Sequence, residues 1–321
     1  MPDTTDASAQ AQVRRWRPGR PVDVLRTLGP LVRGNGDPTH RRDGAGGLWR
    51  AARTPQGAVL LHLSPRARDG EVHATAWGPG AQWALEQVPE LLGDGDDDTG
   101  FAPNHAVLAR SLTAHPGWRV PRSRGVWEAL LGAALEQRVT GVEAHRAWRG
   151  LVLQYGEPAP GPARLPGNQV TGMRTAPAPE AVARVPSWQW LQWGVDLHRR
   201  RPLVDAVHRA VALERTLELS HEEAATALRS VVGVGVWTAA EIRHRAHGDP
   251  DAFSWQDYHV ATHVCWALTG EVGDDARCAE LIEEYRGHRY RVQRLVELAG
   301  IAPPRRGPRR SLPTHLPSPR R

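Results

Sequence analysis

The sequence predicts an α+β protein that is mostly helical, with a small mixed sheet and helix domain ahead of an all-helical domain. Two observations support this fold class. Short strand patterns with an alternation of period two are confined to the first hundred or so residues. From Asn104 onward the apolar residues have helical spacing instead, and two capping boxes, at Thr140 and Ser220, start helices in this second part.

The first part is expected to form an α+β domain over residues 15–103. Leu48 to Ser64 is typical of two short strands around a turn at Pro55-Gln56-Gly57. Glu71 to Trp77 alternates as a half-buried strand does, and Ala81 to Leu92 has the apolar spacing of a helix. The strand and helix signals together predict a sheet covered by helices.

The second part is expected to be a helical domain over residues 104–301. Val126 to Val139 is amphipathic, and the Thr140 capping box opens a further helix that reaches about Tyr155. Gly156 to Pro179 holds six prolines and is predicted to be a flexible excursion. Two helices flanking a glycine turn are expected at about 221–246.

Charge is concentrated at the C-terminal end of the chain. All 41 basic residues are arginine, and the net charge is +6. Residues 302–321 hold six arginines and no acid, so the rest of the chain is close to neutral. This basic, Pro-rich tail and the polar residues 1–14 are expected to be disordered. Global charge alone therefore gives only mild support for a nucleic-acid partner.

The two cysteines exclude several classes of protein. Cys265 and Cys278 are too few for a disulfide framework or for a four-cysteine iron–sulfur cluster. The sequence begins with no apolar run typical of a signal peptide, and it has no stretch long enough to span a membrane. We expect a soluble intracellular protein that makes no membrane contact.

The chain is organised around the stretch from Ala224 to Tyr258. Its turn, Gly233-Val234-Gly235, has glycine at both ends, which allows positive φ and a close approach of the backbone to a ligand. A helix follows at once, so its free N–H groups lie at the turn, where they attract anions. A phosphate of a nucleic-acid backbone suits this site.

Val232-Gly233-Val234-Gly235-Val236-Trp237-Thr238-Ala239 resembles the hairpin of the helix-hairpin-helix DNA glycosylases, in particular the bacterial 3-methyladenine DNA glycosylase II (AlkA-like) branch. Asp257 follows Trp237 by twenty residues, where that family has its essential aspartate. Further landmarks stand in family order at Asn104–Arg110, Gly125–Gly132, Glu136–Thr140 and Tyr285–Arg289. The resemblance covers about residues 100 to 300.

The resemblance implies hydrolysis of the N-glycosidic bond of flipped-out alkylated purines of the 3-methyladenine type, in base excision repair. A carboxylate beneath the anomeric carbon would stabilise the positive charge of the transition state, and Asp257 is the candidate for it. Trp237, Tyr258 and Trp127 are candidates for the walls of the base pocket. Lyases of the superfamily carry a lysine in the hairpin, whereas this chain has Trp237 there and contains no lysine, so hydrolysis without strand cleavage is expected.

The resemblance also implies a partner and a location. The partner is double-stranded DNA with damaged bases, bound by a monomer in the cytoplasm, in association with the nucleoid. The candidate DNA-binding residues are Gly233, Gly235, Val236, Trp237, Thr238, Gln137, Arg138, Arg286 and Arg289. No cofactor is required, but a K⁺ or Na⁺ ion can bind the backbone carbonyls of Val231 and Gly233 in hairpins of this family.

Each candidate also has a simpler interpretation. Asp257 starts a helix, where aspartate is a favoured N-cap, and Trp237 could belong to the core. Arg138 could be an exposed loop residue, Gln137 a cap, and Arg286 part of a solvated face. The histidines could ligate zinc only if three or four converged, and their spacing gives no such set.

Two departures from the family leave the substrate open. Glu241, one helical turn after Trp237, and the helix around Val296 and Glu297 lack aromatic residues that the best-known members have there. The alternatives are a glycosylase for hypoxanthine, uracil or an oxidised purine, and a non-catalytic helix-hairpin-helix protein that binds DNA or recruits a partner. Activity on defined lesions separates the first alternative, and binding without base release identifies the second.

Overall fold

In the computed structural model, residues 10–304 are described here. The predicted disorder of the basic tail therefore falls almost wholly outside the described residues, as does that of residues 1–9. Gln12 to Arg14, which were also expected to be disordered, instead begin the first strand. They pair with the strand Glu71–Trp77, so the prediction for these three residues is wrong.

The N-terminal part is built on a five-stranded antiparallel sheet in the order β1-β5-β4-β3-β2. The strands are β1 (Gln12–Trp16), β2 (His40–Arg42), β3 (Leu48–Thr54), β4 (Gly57–Arg66) and β5 (Glu71–Trp77). The predicted strand pair around Pro55-Gln56-Gly57 is confirmed as the β3–β4 hairpin, and β5 has the predicted bounds. The α+β fold class is confirmed.

Three short helices lie on this sheet: α1 (Val24–Leu28), α2 (Ala81–Glu86) and α3 (Val88–Leu91). They bury one face of the sheet in a core that includes Leu28, Leu63 and Val88. The single helix predicted over 81–92 is divided at Gln87. Pro89 stands in the first turn of α3, where its missing N–H costs nothing, whereas inside a continuous helix it would break a hydrogen bond.

The segment predicted to be a flexible excursion, residues 156–179, is packed against the other face of the sheet. Ala159, Val170 and Met173 are buried against Ala51 and Leu60. Its backbone is tied internally, because Ala159 donates its N–H to the Met173 carbonyl at 3.0 Å. The prediction of flexibility is wrong because these apolar side chains outweigh the Pro- and Gly-rich composition.

The regular structure that follows is helical, as predicted, apart from an isolated bridge between Pro158 and Arg174. The helices are α4 (Ala106–Ala114), α5 (Val126–Glu136), α6 (Gly141–Tyr155), α7 (Pro179–Ala183), α8 (Ser187–Gln192), α9 (Leu197–Val207), α10 (Ala210–Glu214), α11 (His221–Arg229), α12 (Val236–Ile242), α13 (Val260–Thr269), α14 (Asp275–Ile282) and α15 (Arg289–Ala299). A π-helical turn, Arg243–His247, extends α12. No helix in the described part of the chain has the length and apolar character needed to span a bilayer.

The helices enclose two cores. One core surrounds α5, whose residues from Val126 to Leu135 are all buried except Glu128, and it includes Trp148 and Trp190. The other joins α4 to α13, α14 and α15. Buried polar contacts connect the helices to the sheet region, because Asp96 pairs with Arg291 at 2.7 Å. The division at residue 103/104 stays a prediction.

Candidate active site

The two helices of the predicted hairpin are α11 and α12, and the Ser220–Glu223 capping box is present. Gly233 has φ +84°, and a Cβ there would lie 2.6 Å from Cγ of Pro202, so only glycine fits. Gly235 has φ −87°, so only Gly233 of the two uses a left-handed backbone. A Cβ on Gly235 would have no neighbour within 4 Å, so this side of the turn is open.

The open side of the hairpin presents backbone donors. Among the described residues, no acceptor lies within hydrogen-bonding distance of the N–H groups of Gly235, Val236 and Trp237. These N–H groups belong to the first turn of α12, where intrahelical acceptors are lacking by geometry. The helix dipole adds partial positive charge at the same point.

Gln137 fixes the loop between α5 and α6 onto the hairpin. Its side-chain nitrogen donates to the Gly233 carbonyl at 3.0 Å and to Thr238 Oγ1 at 2.8 Å. The Val231 carbonyl accepts the Val234 N–H at 3.0 Å. Each of these two carbonyls accepts one protein donor and retains a second lone pair, so the K⁺ or Na⁺ site stays a prediction.

Arg138, next to Gln137, is exposed and has φ +57°. A left-handed backbone is uncommon for a residue with a Cβ. The Gln137 bonds hold the loop in this conformation, and the following residue, Val139, lines a cavity. Arg138 therefore stands on the surface beside the mouth of that cavity.

The cavity lies between the hairpin, α5, α15 and the loop after α1, and it has a volume of about 410 Å³. Trp237 and Asp257 line it together. Its remaining walls are formed by Gly29, Pro30, Val32, Glu136, Val139, Gly141, Ala144, His145, Glu241, His244, Arg245, Val260, Tyr290, Gln293, Arg294 and Glu297. This is enough space for a purine base.

The Asp257 carboxylate is held from two sides. Oδ1 accepts the backbone N–H groups of His259 at 2.8 Å and Val260 at 3.1 Å, so Asp257 caps α13. Oδ2 accepts the indole N–H of Trp237 at 3.1 Å. The capping role and a role in the cavity therefore coexist, because Oδ2 accepts one hydrogen bond and retains a lone pair.

Glu241 and Glu297, which lie where the best-known members of the family have aromatic residues, each form an ion pair. Glu241 is buried, and its carboxylate pairs with Arg245 and accepts the Ser254 hydroxyl at 2.6 Å. Glu297 accepts a hydrogen bond from Arg294 at 2.8 Å. The cavity is therefore bounded by charged groups as well as by aromatic rings.

The protonation of this wall follows from burial. Burial lowers the pKa of His244 well below its usual value, helped by the Arg245 charge, so the imidazole is neutral at pH 7. Its ring stacks on Tyr290 with centroids 4.1 Å apart. Burial also raises the pKa of the Tyr290 phenol, which stays protonated. For Arg245, burial opposes the charge, but the nearby Glu241 and Glu136 outweigh it and raise the pKa.

Several solved structures share this architecture. The 3-methyladenine DNA glycosylase from Archaeoglobus fulgidus aligns over 89% of this chain and 98% of its own, with a TM-score of 0.72 and 19% identity. The chain has the fold of the helix-hairpin-helix DNA glycosylases. An 8-oxoguanine glycosylase/lyase from Clostridium acetobutylicum, solved with duplex DNA, aligns over 91% and 97% of the two chains, with a TM-score of 0.64 and 13% identity. The resemblance in the sequence is thus confirmed at the level of the fold.

Sequence comparisons gave no match. No family model matches this chain, and no curated protein matches it by sequence.

Within this glycosylase fold, two predicted pocket residues lie elsewhere. Trp127 is buried in the core around α5 and donates its indole N–H to the Pro177 carbonyl at 2.8 Å. Tyr258 is 89% exposed, because the turn that aims Asp257 inward aims the next side chain outward. Trp237 alone of the three predicted wall residues lines the cavity.

The arginines expected to contact phosphate differ in availability. Arg289 is bound by Asp251, with a 2.8 Å contact from Nε to Oδ1 and a second contact from Nη2. This ion pair holds the Arg289 guanidinium, and its DNA contact stays a prediction. Arg286 pairs with Glu283 but is exposed, and its DNA contact stays a prediction.

The cavity residues that sequence reasoning did not assign to the site include Pro30, Glu136, Arg245 and Tyr290. Arg245 follows Glu241 by four residues, a spacing that predicts an ion pair on one helical face and could have identified it. Among residues 10–304, no three His, Cys, Asp or Glu side chains converge as metal ligands.

Proposed function

We propose that the protein is a monofunctional DNA glycosylase that hydrolyses the N-glycosidic bond of alkylated purines flipped out of duplex DNA. The observation that carries this proposal is the position of Asp257, held by the Trp237 indole at the edge of a cavity large enough for a base. The fold shared with DNA glycosylases of known structure supports it.

The chemistry needs few groups. As the bond from C1′ to the base nitrogen breaks, its electron pair leaves with the base and positive charge develops on the sugar. The Asp257 carboxylate stabilises this charge, and an attacking water gives C1′ its new oxygen and loses a proton to the carboxylate or to solvent. An alkylated purine already carries positive charge and leaves as a neutral base, so no strong general acid is needed.

The absence of lysine from the sequence favours hydrolysis over lyase chemistry. A Schiff base at C1′ requires an amine nucleophile, and the family's lysine position holds Trp237, whose indole nitrogen is not nucleophilic. We therefore expect abasic DNA as the product, with both strands intact.

The hairpin and the adjoining loop form the DNA-binding surface of this proposal. The free N–H groups from Gly235 to Trp237 can bind one phosphate, because unpaired N–H groups at the N-terminus of a helix are common phosphate-binding donors. Arg138 stands beside the cavity mouth, where its side chain can fill the gap left by a flipped base. Gln137 positions that loop through its bonds to Gly233 and Thr238.

The test is release of methylated purines from duplex DNA treated with a methylating agent, comparing the wild type with Asp257→Asn. Asp274→Asn is the matched control, because Asp274 caps α14 through a 2.9 Å bond to the Arg277 N–H and does not line the cavity. We expect release by the wild type and the control but not by Asp257→Asn, with equal DNA binding by all three. DNA binding without release by the wild type would instead favour the non-catalytic alternative.

A further inference from the structure

The cavity has hydrogen-bonding groups that the protein itself leaves unused. Arg245 donates through Nε to the Pro30 carbonyl at 2.8 Å and through Nη1 to Glu241, but its Nη2 has no partner among the described residues. Glu136 pairs with Arg33 through Oε1, while Oε2 has no partner in the same part of the chain.

Tyr290 supplies a third unused group. Its side chain is 2% exposed and lines the cavity, yet its hydroxyl makes no hydrogen bond to any described residue. A phenol hydroxyl without a protein partner can donate to, and accept from, a ligand in the cavity. Burial keeps this phenol protonated, so it offers a donor to whatever occupies the cavity.

These groups favour one edge of one base. Arg245 has free N–H donors and Glu136 a free carboxylate oxygen, and both residues line the same cavity. The Watson–Crick edge of guanine offers the complement, an O6 acceptor beside the N1–H and N2–H donors. Adenine reverses this order, with a donor amine at C6 and an acceptor at N1, so each contact would be mismatched.

We infer that Arg245, Glu136 and Tyr290 are specificity-determining residues that select guanine-type alkylated bases, purines with a C6 oxygen and an N1–H, over adenine-type ones. This inference rests on the proposed glycosylase function and names the base for that same site. Arg245 and Tyr290 donate hydrogen bonds to O6 of the base, and Glu136 accepts hydrogen bonds from N1–H and the exocyclic amine. A site that hydrogen-bonds a base discriminates strongly against an analogue that leaves its polar groups unpaired.

The experiment measures 7-methylguanine and 3-methyladenine released from the same methylated duplex DNA, each divided by its own rate without protein. We expect the rate enhancement for 7-methylguanine to exceed that for 3-methyladenine by about 10-fold or more, on the scale of one hydrogen bond to a charged group. Hypoxanthine has O6 and N1–H but lacks the exocyclic amine. Its release from a defined duplex, divided by its own slower rate without protein, should show a larger enhancement than the release of adenine-type bases.

Three conservative variants test the residues. Arg245→Lys keeps a charge beside Glu241 but removes Nη2, Glu136→Gln removes the anionic acceptor, and Tyr290→Phe removes the hydroxyl. Each should lower the 7-methylguanine enhancement about 10-fold and change that of 3-methyladenine less than about twofold. Thermal melting of each variant checks that it folds.

Arg243→Lys is the matched control, since Arg243 lies in the same π-helical turn but pairs with Asp249 outside the cavity. Its ratio of the two bases should equal that of the wild type. Two outcomes would overturn the inference while leaving the proposed function intact. The wild type could release 3-methyladenine with the larger rate enhancement, or the folded variants could lower the rate enhancements for both bases equally. Release of neither base would remove both together.

Discussion

Two carboxylates in this molecule accept a hydrogen bond from a tryptophan indole, and they differ in what else surrounds them. Asp37 is buried and accepts the Trp148 N–H at 2.9 Å, whereas Asp257 is half-buried and accepts that of Trp237 at 3.1 Å. Asp37 also accepts from Arg33, from both donors of Thr39 and from His40. Asp257 has only its two helix-capping bonds besides the indole.

The difference separates structure from chemistry. The acceptor capacity of Asp37 is filled, so this carboxylate can only fasten the loop before β2 to α6. Its hydrogen bonds with His40 and other donors outweigh the effect of burial and hold its pKa well below the usual range. Asp257 is oriented as firmly but is open to the cavity, which is the state required to meet a developing positive charge.

The largest expected effect is on the rate at Asp257. Asparagine keeps the helix cap, since it is as good an N-cap as aspartate, but it lacks the charge. Asp257→Asn should lower single-turnover base release by at least about 10²–10³-fold, the usual cost of losing one transition-state stabiliser. Its midpoint of thermal unfolding should stay near that of the wild type. An Asp257→Asn protein that keeps most of the rate would show that the indole–carboxylate pair is only structural.

The reciprocal variant, Asp37→Asn, should affect stability instead. One oxygen would be replaced by an NH₂ group, which would face the N–H and O–H donors that this oxygen now accepts. The free energy of unfolding, measured in urea, should fall by about 3–5 kcal/mol, as when one member of a buried polar network is removed. Base release per folded molecule should not change. A loss below about 1 kcal/mol would mean that the carboxylate is less tightly enclosed than its five hydrogen bonds indicate.

The Asp257 site could be predicted from the sequence because the features that indicate it are close together in the chain. The Ser220 capping box, the two glycines of the turn and the spacing from Trp237 to Asp257 all lie within one stretch of about forty residues. The rest of the cavity is assembled from the loop after α1, the end of α5, the π-helical turn and α15. No periodicity connects such distant segments, so Pro30 and Tyr290 could not be placed by pattern alone.

The Asp37 site and the packing of residues 156–179 show the same limit. Asp37 and Trp148 are 111 residues apart, and only tertiary structure brings them together. For residues 156–179 a signal did exist in the strand they cover. Ala58 to Leu61 is a continuous apolar run, which indicates a strand buried on both faces, and such a strand requires a covering segment.

A third buried group, His247, makes the stability of the protein depend on pH in a range where Asp37 contributes little. Burial, helped by the positive charges of His221 and Arg243, lowers the pKa of His247 to about 4. Since the unfolded value is about 6.5, the unfolded chain binds more protons between these values, and stability falls as pH falls from about 6.5 to 4. Folded Asp37 stays ionised in that range, and because its unfolded value is about 3.9 it adds slope only below about pH 5.

Lowering the pH from 7 to 5 should therefore cost about 2 kcal/mol of unfolding free energy through His247. His247→Gln keeps a partner for Thr216 Oγ1, which lies 3.0 Å from the imidazole Nε2, and cannot titrate. Urea unfolding at the two pH values should show about 2 kcal/mol less pH dependence in this variant than in the wild type. Equal pH dependence would place the titration elsewhere.

The smallest expected effects come from removing each indole N–H in turn. Trp148→Phe removes one of the five hydrogen bonds that Asp37 accepts, so stability should fall by about 1–3 kcal/mol with little change in base release. Trp237→Phe leaves Asp257 open to solvent on that side, so stability should hold while the rate falls about 10-fold, because the carboxylate loses orientation.

Trp190→Phe controls for the lost ring volume in the interior, since the buried indole N–H of Trp190 has no partner among the described residues. Its loss of stability measures the cavity cost alone, and the excess in Trp148→Phe measures the hydrogen bond to Asp37. If Trp148→Phe and Trp190→Phe lose the same stability, the indole bond contributes little to folding. If Trp237→Phe also retains its full rate, the two capping N–H groups are sufficient to orient Asp257. The indole hydrogen bond would then be important neither for the stability contributed by Asp37 nor for the activity of Asp257.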